Sequence, residues 1–182
     1  MVTRIGINGF GRIGRQVFKA IKERHGKELE VVAVNDLFDI PTNAHMLKYD
    51  SNYGRYPGTV VATKSGLTVD GKHITVFAER DPAKIPWGKA KVDLVIESTG
   101  LFTDANVARS HIHDGVKKVV ISAPEKNEDV TIVLGVNQQA YKKSHKVISN
   151  ASCTTNGLAP TVKVLVDTFG ILKGQMTTIH AY

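Results

Sequence analysis

The chain has one cysteine, one tryptophan and six prolines in 182 residues. A single thiol excludes a disulfide within the chain, and a reducing, cytoplasmic compartment is the simplest expectation. No apolar run approaches the length needed to cross a bilayer, so no membrane partner is expected. The start, Met1-Val2-Thr3-Arg4, passes directly into a strand-like segment without a charged and apolar leader, so no signal peptide is expected. Internal repeats and low-complexity tracts are absent, and no metal site is expected. What is present is an ordinary α/β composition: 42% apolar residues, rich in Val, Ile and Leu, which suffices for a real core.

The formal charge of +7 raises nucleic acid as a partner, since clustered Lys and Arg are the footprint of phosphate binding. The cations instead fall in small separate groups, Lys19 to Lys27, Lys84 to Lys91, Lys117-Lys118 and Lys142 to Lys146, often beside acids such as Glu23, Glu28 and Asp81. No interleaved aromatics accompany them. A solvated surface that draws in small anions is the better reading.

Hydrophobic periodicity organises the chain. Residues 3 to 8 read as a strand, and a glycine turn from Gly9 to Gly14 leads into a helix with Ile13, Val17, Ala20 and Ile21 on one face. Leu29 to Val34 reads as a fully buried strand, completing a βαβ unit that implies parallel strands. A short helix follows at Thr42 to Lys48. Val60-Val61, Leu67 to Val69, the turn Asp70-Gly71 and Ile74 to Phe77 suggest an antiparallel hairpin appended to the sheet. Val92 to Glu97 reads as a buried strand, Thr103 begins a helix running toward His113, and Lys118 to Ser122, Val130 to Leu134 and Lys146 to Ser149 read as further strands. The expected class is α/β, a doubly wound Rossmann-type domain over residues 1–152. A new unit begins at 153–182, with Leu158, Val162, Leu165 and Val166 striping a helix that ends near Gly170. A strand at Gly174 to His180 then needs partners that the sequence does not supply.

Gly9-x-Gly11-x-x-Gly14 has the spacing of the dinucleotide fingerprint. The first glycine permits a tight turn, the second lets a pyrophosphate approach the backbone, and the third lets the helix pack on the strand. Arg12 and Ile13 would offer their amides to the pyrophosphate. The match follows a strand, precedes a helix and is answered by Asp36 at the end of the next strand. A carboxylate there accepts hydrogen bonds from ribose hydroxyls and repels a 2′-phosphate, and Leu37 offers no cation to offset that, so NAD is favoured over NADP.

Cys153 lies in Ser149-Asn150-Ala151-Ser152-Cys153-Thr154-Thr155-Asn156, between a strand-like and a helix-like segment. A lone cysteine is ordinarily a small buried apolar residue. Hydroxyls and amides surround this one instead of aliphatic neighbours, and a thiol at the first turn of a helix is activated as a thiolate that attacks carbonyl carbon. Ser152 also reads as a helix N-cap, and both roles can coexist.

Together, Ile5 to Arg15, the pair Asn35-Asp36, the string Leu47-Lys48-Tyr49-Asp50-Ser51 and the run Ala151 to Asn156 resemble the phosphorylating glyceraldehyde-3-phosphate dehydrogenase family along essentially the whole chain. Members of that family run well past Tyr182, so the chain reads as an N-terminal portion. The resemblance implies NAD-dependent oxidation of glyceraldehyde 3-phosphate with uptake of inorganic phosphate, Cys153 as nucleophile and His180 as its base. It places Arg80 near the adenine, Thr99 and Ser122 along the nicotinamide side, and Ser152 and Thr154 at inorganic phosphate. It also implies a homotetramer, the first helix and strand of an α+β catalytic domain after Ser152, and little activity for this portion alone. The other six histidines, His111 among them, carry no comparable motif. Two alternatives stay open: the sister erythrose-4-phosphate dehydrogenase, which releases its acyl group to water, and a non-catalytic nucleotide- or RNA-binding module.

Overall fold

In the computed structural model, which describes residues 2–180, strand β1 (Thr3–Asn8) lies at the centre of a nine-stranded sheet. It pairs in parallel with β2 (Leu29–Asn35) on one side. The helix between them, α1 (Arg12–Ala20), continues for a wider turn through Ile21–His25. Residues Ile40–Lys48 form α2, started by the Asp39 side chain accepting from the Thr42 amide. A two-stranded ribbon, β3 (Tyr49–Asp50) with β4 (Gly54–Arg55), follows. Next come β5 (Val60–Ala62), β6 (Gly66–Val69) and β7 (Lys72–Phe77). Strand β6 pairs antiparallel with both β5 and β7, as the hairpin signal at Asp70-Gly71 predicts for the latter, while β7 joins the main sheet parallel to β2.

The other half is built on β8 (Leu94–Glu97), α3 (Ala105–Ala108), β9 (Lys118–Ile121), β10 (Val130–Thr131), β11 (Val147–Ser149) and the long helix α4 (Cys153–Phe169). The sheet order is β10-β11-β9-β8-β1-β2-β7-β6-β5, and every pairing from β10 to β7 is parallel. The chain therefore crosses from one side of β1 to the other between β7 and β8. In an open parallel sheet such a reversal opens a crevice at the carboxyl ends of the strands. Val31 and Val32 belong to two different apolar clusters. Consecutive strand residues point to opposite faces, so both faces of the sheet are covered.

Three details differ from the periodicity reading. On α1 the buried stripe is Gly14, Phe18 and Ile21, with Ile13 and Ala20 exposed. Gly14 makes the contact with β1, and the residues that share its face are four and seven positions on. The helix expected from Thr103 toward His113 is one α turn, Ala105–Ala108, followed by a tighter turn at Arg109–His111 that carries His111 into the core. The strand expected through Leu134 pairs with β11 only at Val130 and Thr131, because the Val133 amide is taken by the Asn137 side chain.

The last helix begins where expected, at a cap in which the Ser152 hydroxyl accepts from the Thr155 amide. None of its seventeen residues is buried. Leu158, Val164, Leu165, Val166 and Phe169 stand exposed along it. Residues 174–180 join no sheet, in keeping with the absence of a partner strand: a lone strand leaves its amides and carbonyls unpaired.

Candidate functional site

Each fingerprint glycine is required for a different reason. Gly9 has φ +86°, and a Cβ there would sit 2.7 Å from the Thr99 nitrogen. A Cβ on Gly14 would lie 2.1 Å from the Gly9 carbonyl oxygen, so this glycine sets the separation of α1 from the turn. A Cβ on Gly11 would meet no heavy atom within 4 Å; this glycine faces open space, where a ligand can approach the backbone. The first turn of α1, with Arg12 and Ile13, has no side-chain cap and no acidic residue. By contrast, α2, α3 and α4 are capped by Asp39, Asp104 and Ser152. Uncapped amides at the positive end of a helix dipole suit a pyrophosphate.

Asp36 follows β2 and accepts from two backbone amides, Phe10 at 2.7 Å and Phe38 at 3.0 Å. It thus braces the glycine turn, and its unused lone pairs remain for ribose hydroxyls. A cavity of about 490 Å³ opens here, at the carboxyl ends of β1, β2 and β8, with Gly9, Gly11, Asp36, Arg80 and Thr99 among its lining residues. Ser122 does not line it; its amide donates to the Glu97 carbonyl. The Arg12 guanidinium turns away to Asp50. The carboxyl of Asp50 is held far below the usual range by the amides of Asn52 and Tyr53, with Arg12 and Lys19 nearby.

Beneath the cavity lies a polar cluster that sequence reasoning missed. Asn8, Asn35, Glu97 and His111 are all buried, with Glu97 1% and His111 0% exposed. Asn35 donates to the Asn8 side-chain oxygen, and Asn8 donates to Glu97 Oε2 at 2.5 Å. Glu97 ends an apolar buried strand, and a charged residue in that position was the available signal.

Cys153 is exposed at the first position of α4. Ala151, two residues before it, holds φ +58°, a left-handed conformation unusual for alanine. The turn is pinned by Ala151 donating to Ser149 Oγ and by the Asn156 side chain donating to the carbonyls of Asn150 and Ser152. His180 Nε2 lies 3.4 Å from Thr154 Oγ1 and 2.9 Å from Thr178 Oγ1. Cys153, Ser152, Thr154 and His180 are thus brought to one end of α4, although no hydrogen bond joins His180 to Cys153 among the described residues. These four do not line the cofactor cavity.

Residues 3–105 match the family model for the NAD-binding domain of glyceraldehyde 3-phosphate dehydrogenase, and residues 152–182 match the model for its C-terminal domain. The chain belongs to the glyceraldehyde-3-phosphate dehydrogenase family. It is 60% identical over its whole length to glyceraldehyde-3-phosphate dehydrogenase 2 of Streptomyces avermitilis, covering 54% of that protein. Identity is 57% to the Geobacillus stearothermophilus enzyme and 54% to that of Thermotoga maritima, with 54% of each covered. The chain spans about half the length of the curated relatives it matches. The cofactor of this NAD-binding domain is NAD, and the open backbone at Gly11, the uncapped α1 and Asp36 fit it. No helix among the described residues is long and apolar enough to cross a membrane.

Proposed function

We propose that the protein oxidises glyceraldehyde 3-phosphate to 1,3-bisphosphoglycerate with NAD and inorganic phosphate, in glycolysis, as a cytoplasmic homotetramer. The observation that carries this reading is that Cys153 opens α4 just after β11, on the same carboxyl edge of the sheet as the NAD cavity. Cys153 Sγ adds to the aldehyde carbon as its proton passes to His180, giving a thiohemiacetal. The Cys153 amide, at a helix N-terminus, donates to the developing oxyanion. NAD, when bound, supplies the hydride acceptor. The acyl group rests on Cys153 as a thioester until inorganic phosphate, held by Ser152 and Thr154, attacks the acyl carbon and frees the thiolate. Arg80 serves the adenine, with Thr99 toward the nicotinamide.

Domain division falls at 152/153, with residues 1–152 binding the cofactor and 153–182 opening the catalytic unit. The exposed apolar stripe on α4 supports this: that helix is built to pack on something other than the NAD domain. Residues 1–182 alone therefore have little turnover. The test is NADH formation by a chain carrying the full catalytic domain, with and without inorganic phosphate, and again after Cys153→Ser. Phosphate-dependent turnover lost in the variant is expected. Turnover indifferent to phosphate would turn the assignment toward erythrose-4-phosphate dehydrogenase chemistry, and turnover surviving Cys153→Ser would refute the thiol mechanism.

A further inference from the structure

The buried cluster under the cavity has a definite direction. Trp87 Nε1–H donates to His111 Nδ1 at 3.2 Å. An indole N–H can only donate, so that ring nitrogen carries no proton and the imidazole proton sits on Nε2. Nε2 is 3.0 Å from Glu97 Oε2 and donates to it. The same oxygen takes the Asn8 amide, while Glu97 Oε1 accepts the Thr99 backbone N–H at 2.8 Å and the Thr99 hydroxyl at 2.5 Å. Each carboxylate oxygen therefore accepts two donors, and no lone pair is idle. Thr99 is gripped at both its amide and its hydroxyl, and it lines the NAD cavity.

Position on the sheet says which part of the cofactor this affects. Asp36, the ribose-binding acid, ends β2 on one side of β1; Thr99 follows β8 on the other. A dinucleotide laid across the reversal in strand order puts its adenosine half on the β2 side and its other half on the β8 side. We propose that Trp87, His111 and Glu97 form a buried donor–acceptor relay that fixes Thr99, making Glu97 a positioning residue for the nicotinamide half of NAD. The relay touches no cofactor atom itself. It acts by holding Thr99 in one orientation, and it rests on the NAD-binding reading of the domain.

Three variants test it. In Glu97→Gln an NH2 replaces one oxygen that now accepts two donors, so donors face a donor. In His111→Leu the volume is kept approximately but both hydrogen bonds are lost. His111→Gln offers a carbonyl to Trp87 and an NH2 to Glu97, reproducing the two roles of the neutral ring. Each is titrated with NAD and with ADP-ribose, which lacks the nicotinamide, and circular dichroism confirms the fold. Glu97→Gln and His111→Leu are expected to weaken NAD about tenfold, the scale of one unsatisfied buried polar group, and to leave ADP-ribose within about twofold. His111→Gln should recover most of the affinity that His111→Leu loses. Equal loss of NAD and ADP-ribose, no loss of either, or a His111→Gln variant as weak as His111→Leu would overturn the proposal, since a merely packed residue behaves in those ways. If Glu97→Gln does not fold, the His111 pair decides the matter alone. Failure of the unsubstituted protein to bind NAD would overturn the cofactor reading and this proposal with it.

Discussion

Glu125 is the group through which this protein should feel neutral pH. It lies just after Ser122-Ala123-Pro124, in the segment that folds back on α3, where the Lys126 amide donates to Thr103 O and the Ala105 amide to Lys126 O. Both its carboxyl oxygens are buried without a hydrogen-bond partner among the described residues. Burial first, then the nearby charges of Glu128 and Asp104, push its pKa from 4.5 up to about 7, against a weaker pull from Arg109. The unfolded chain ionises this group near its ordinary value, so between the two pH values folding takes up a proton. Its contribution to stability is full below pH 4.5 and is lost as pH rises through about 7. At about 1.4 kcal/mol per pH unit the ceiling is about 3.5 kcal/mol. Solvent reaching the edge of this partly exposed residue reduces that to about 2 kcal/mol. Glu125→Gln removes the charge at equal size, so at pH 8 it should raise stability by about 2 kcal/mol, or Tm by about 4–8 °C, and at pH 4 by close to nothing. Denaturant unfolding of both proteins at the two pH values measures this difference. Other carboxyls, such as Asp129, brought to about 2 despite burial by the amides of Val147 and Lys146 and by Arg109, change both proteins alike. An increment that is the same at both pH values, or a loss at pH 8, would refute the reasoning.

Three further outcomes follow from the geometry. Gly14→Ala places a methyl group against the Gly9 carbonyl, a clash that only movement of α1 relieves; a loss of about 1–3 kcal/mol in chemical denaturation and weaker NAD binding by calorimetry are expected. Asp36→Asn leaves one acceptor oxygen for the two amides of Phe10 and Phe38 and turns a donor toward one of them. Its affinity for NAD should fall about tenfold while discrimination against NADP narrows, read by parallel titrations. Ala151→Gly should stabilise by up to about 1 kcal/mol in thermal unfolding, because glycine holds φ +58° without the Cβ penalty.

The features that the sequence made legible are those enforced locally. Gly9 takes a positive φ in the turn, Gly14 packs on the Gly9 carbonyl five residues back, and Asp36 follows at the next strand end, so spacing locates the crevice, although the crowding of Gly9 by Thr99 is a contact the spacing does not show. The hairpin at Asp70-Gly71 and the capped start of α4 at Ser152 are likewise short-range. What escaped depends on distance along the chain. Ile13 and Phe18 are both apolar in α1, and only the contact of Gly14 with β1 decides that Phe18 is the buried one. His111 carries no motif of its own because its partners, Trp87 and Glu97, lie 24 and 14 residues away. The proximity of His180 to Thr154 is similarly a fact of the fold, invisible across a sequence separation of 26.

The central place of β1 in the sheet has a consequence for synthesis. Among the described strands this one leaves the ribosome before the others, and β2 reaches it within about one helical crossover, but its other neighbour, β8, arrives only with residues 94–97. Until then one edge of β1 is open and the Asn8 side chain has no Glu97 carboxylate to donate to. Non-local parallel pairing of this kind forms slowly and leaves apolar surface exposed meanwhile. The nascent chain should therefore depend on protection over that interval, and should become able to hold NAD abruptly, once β8 has emerged and paired with β1, and not in proportion to its length.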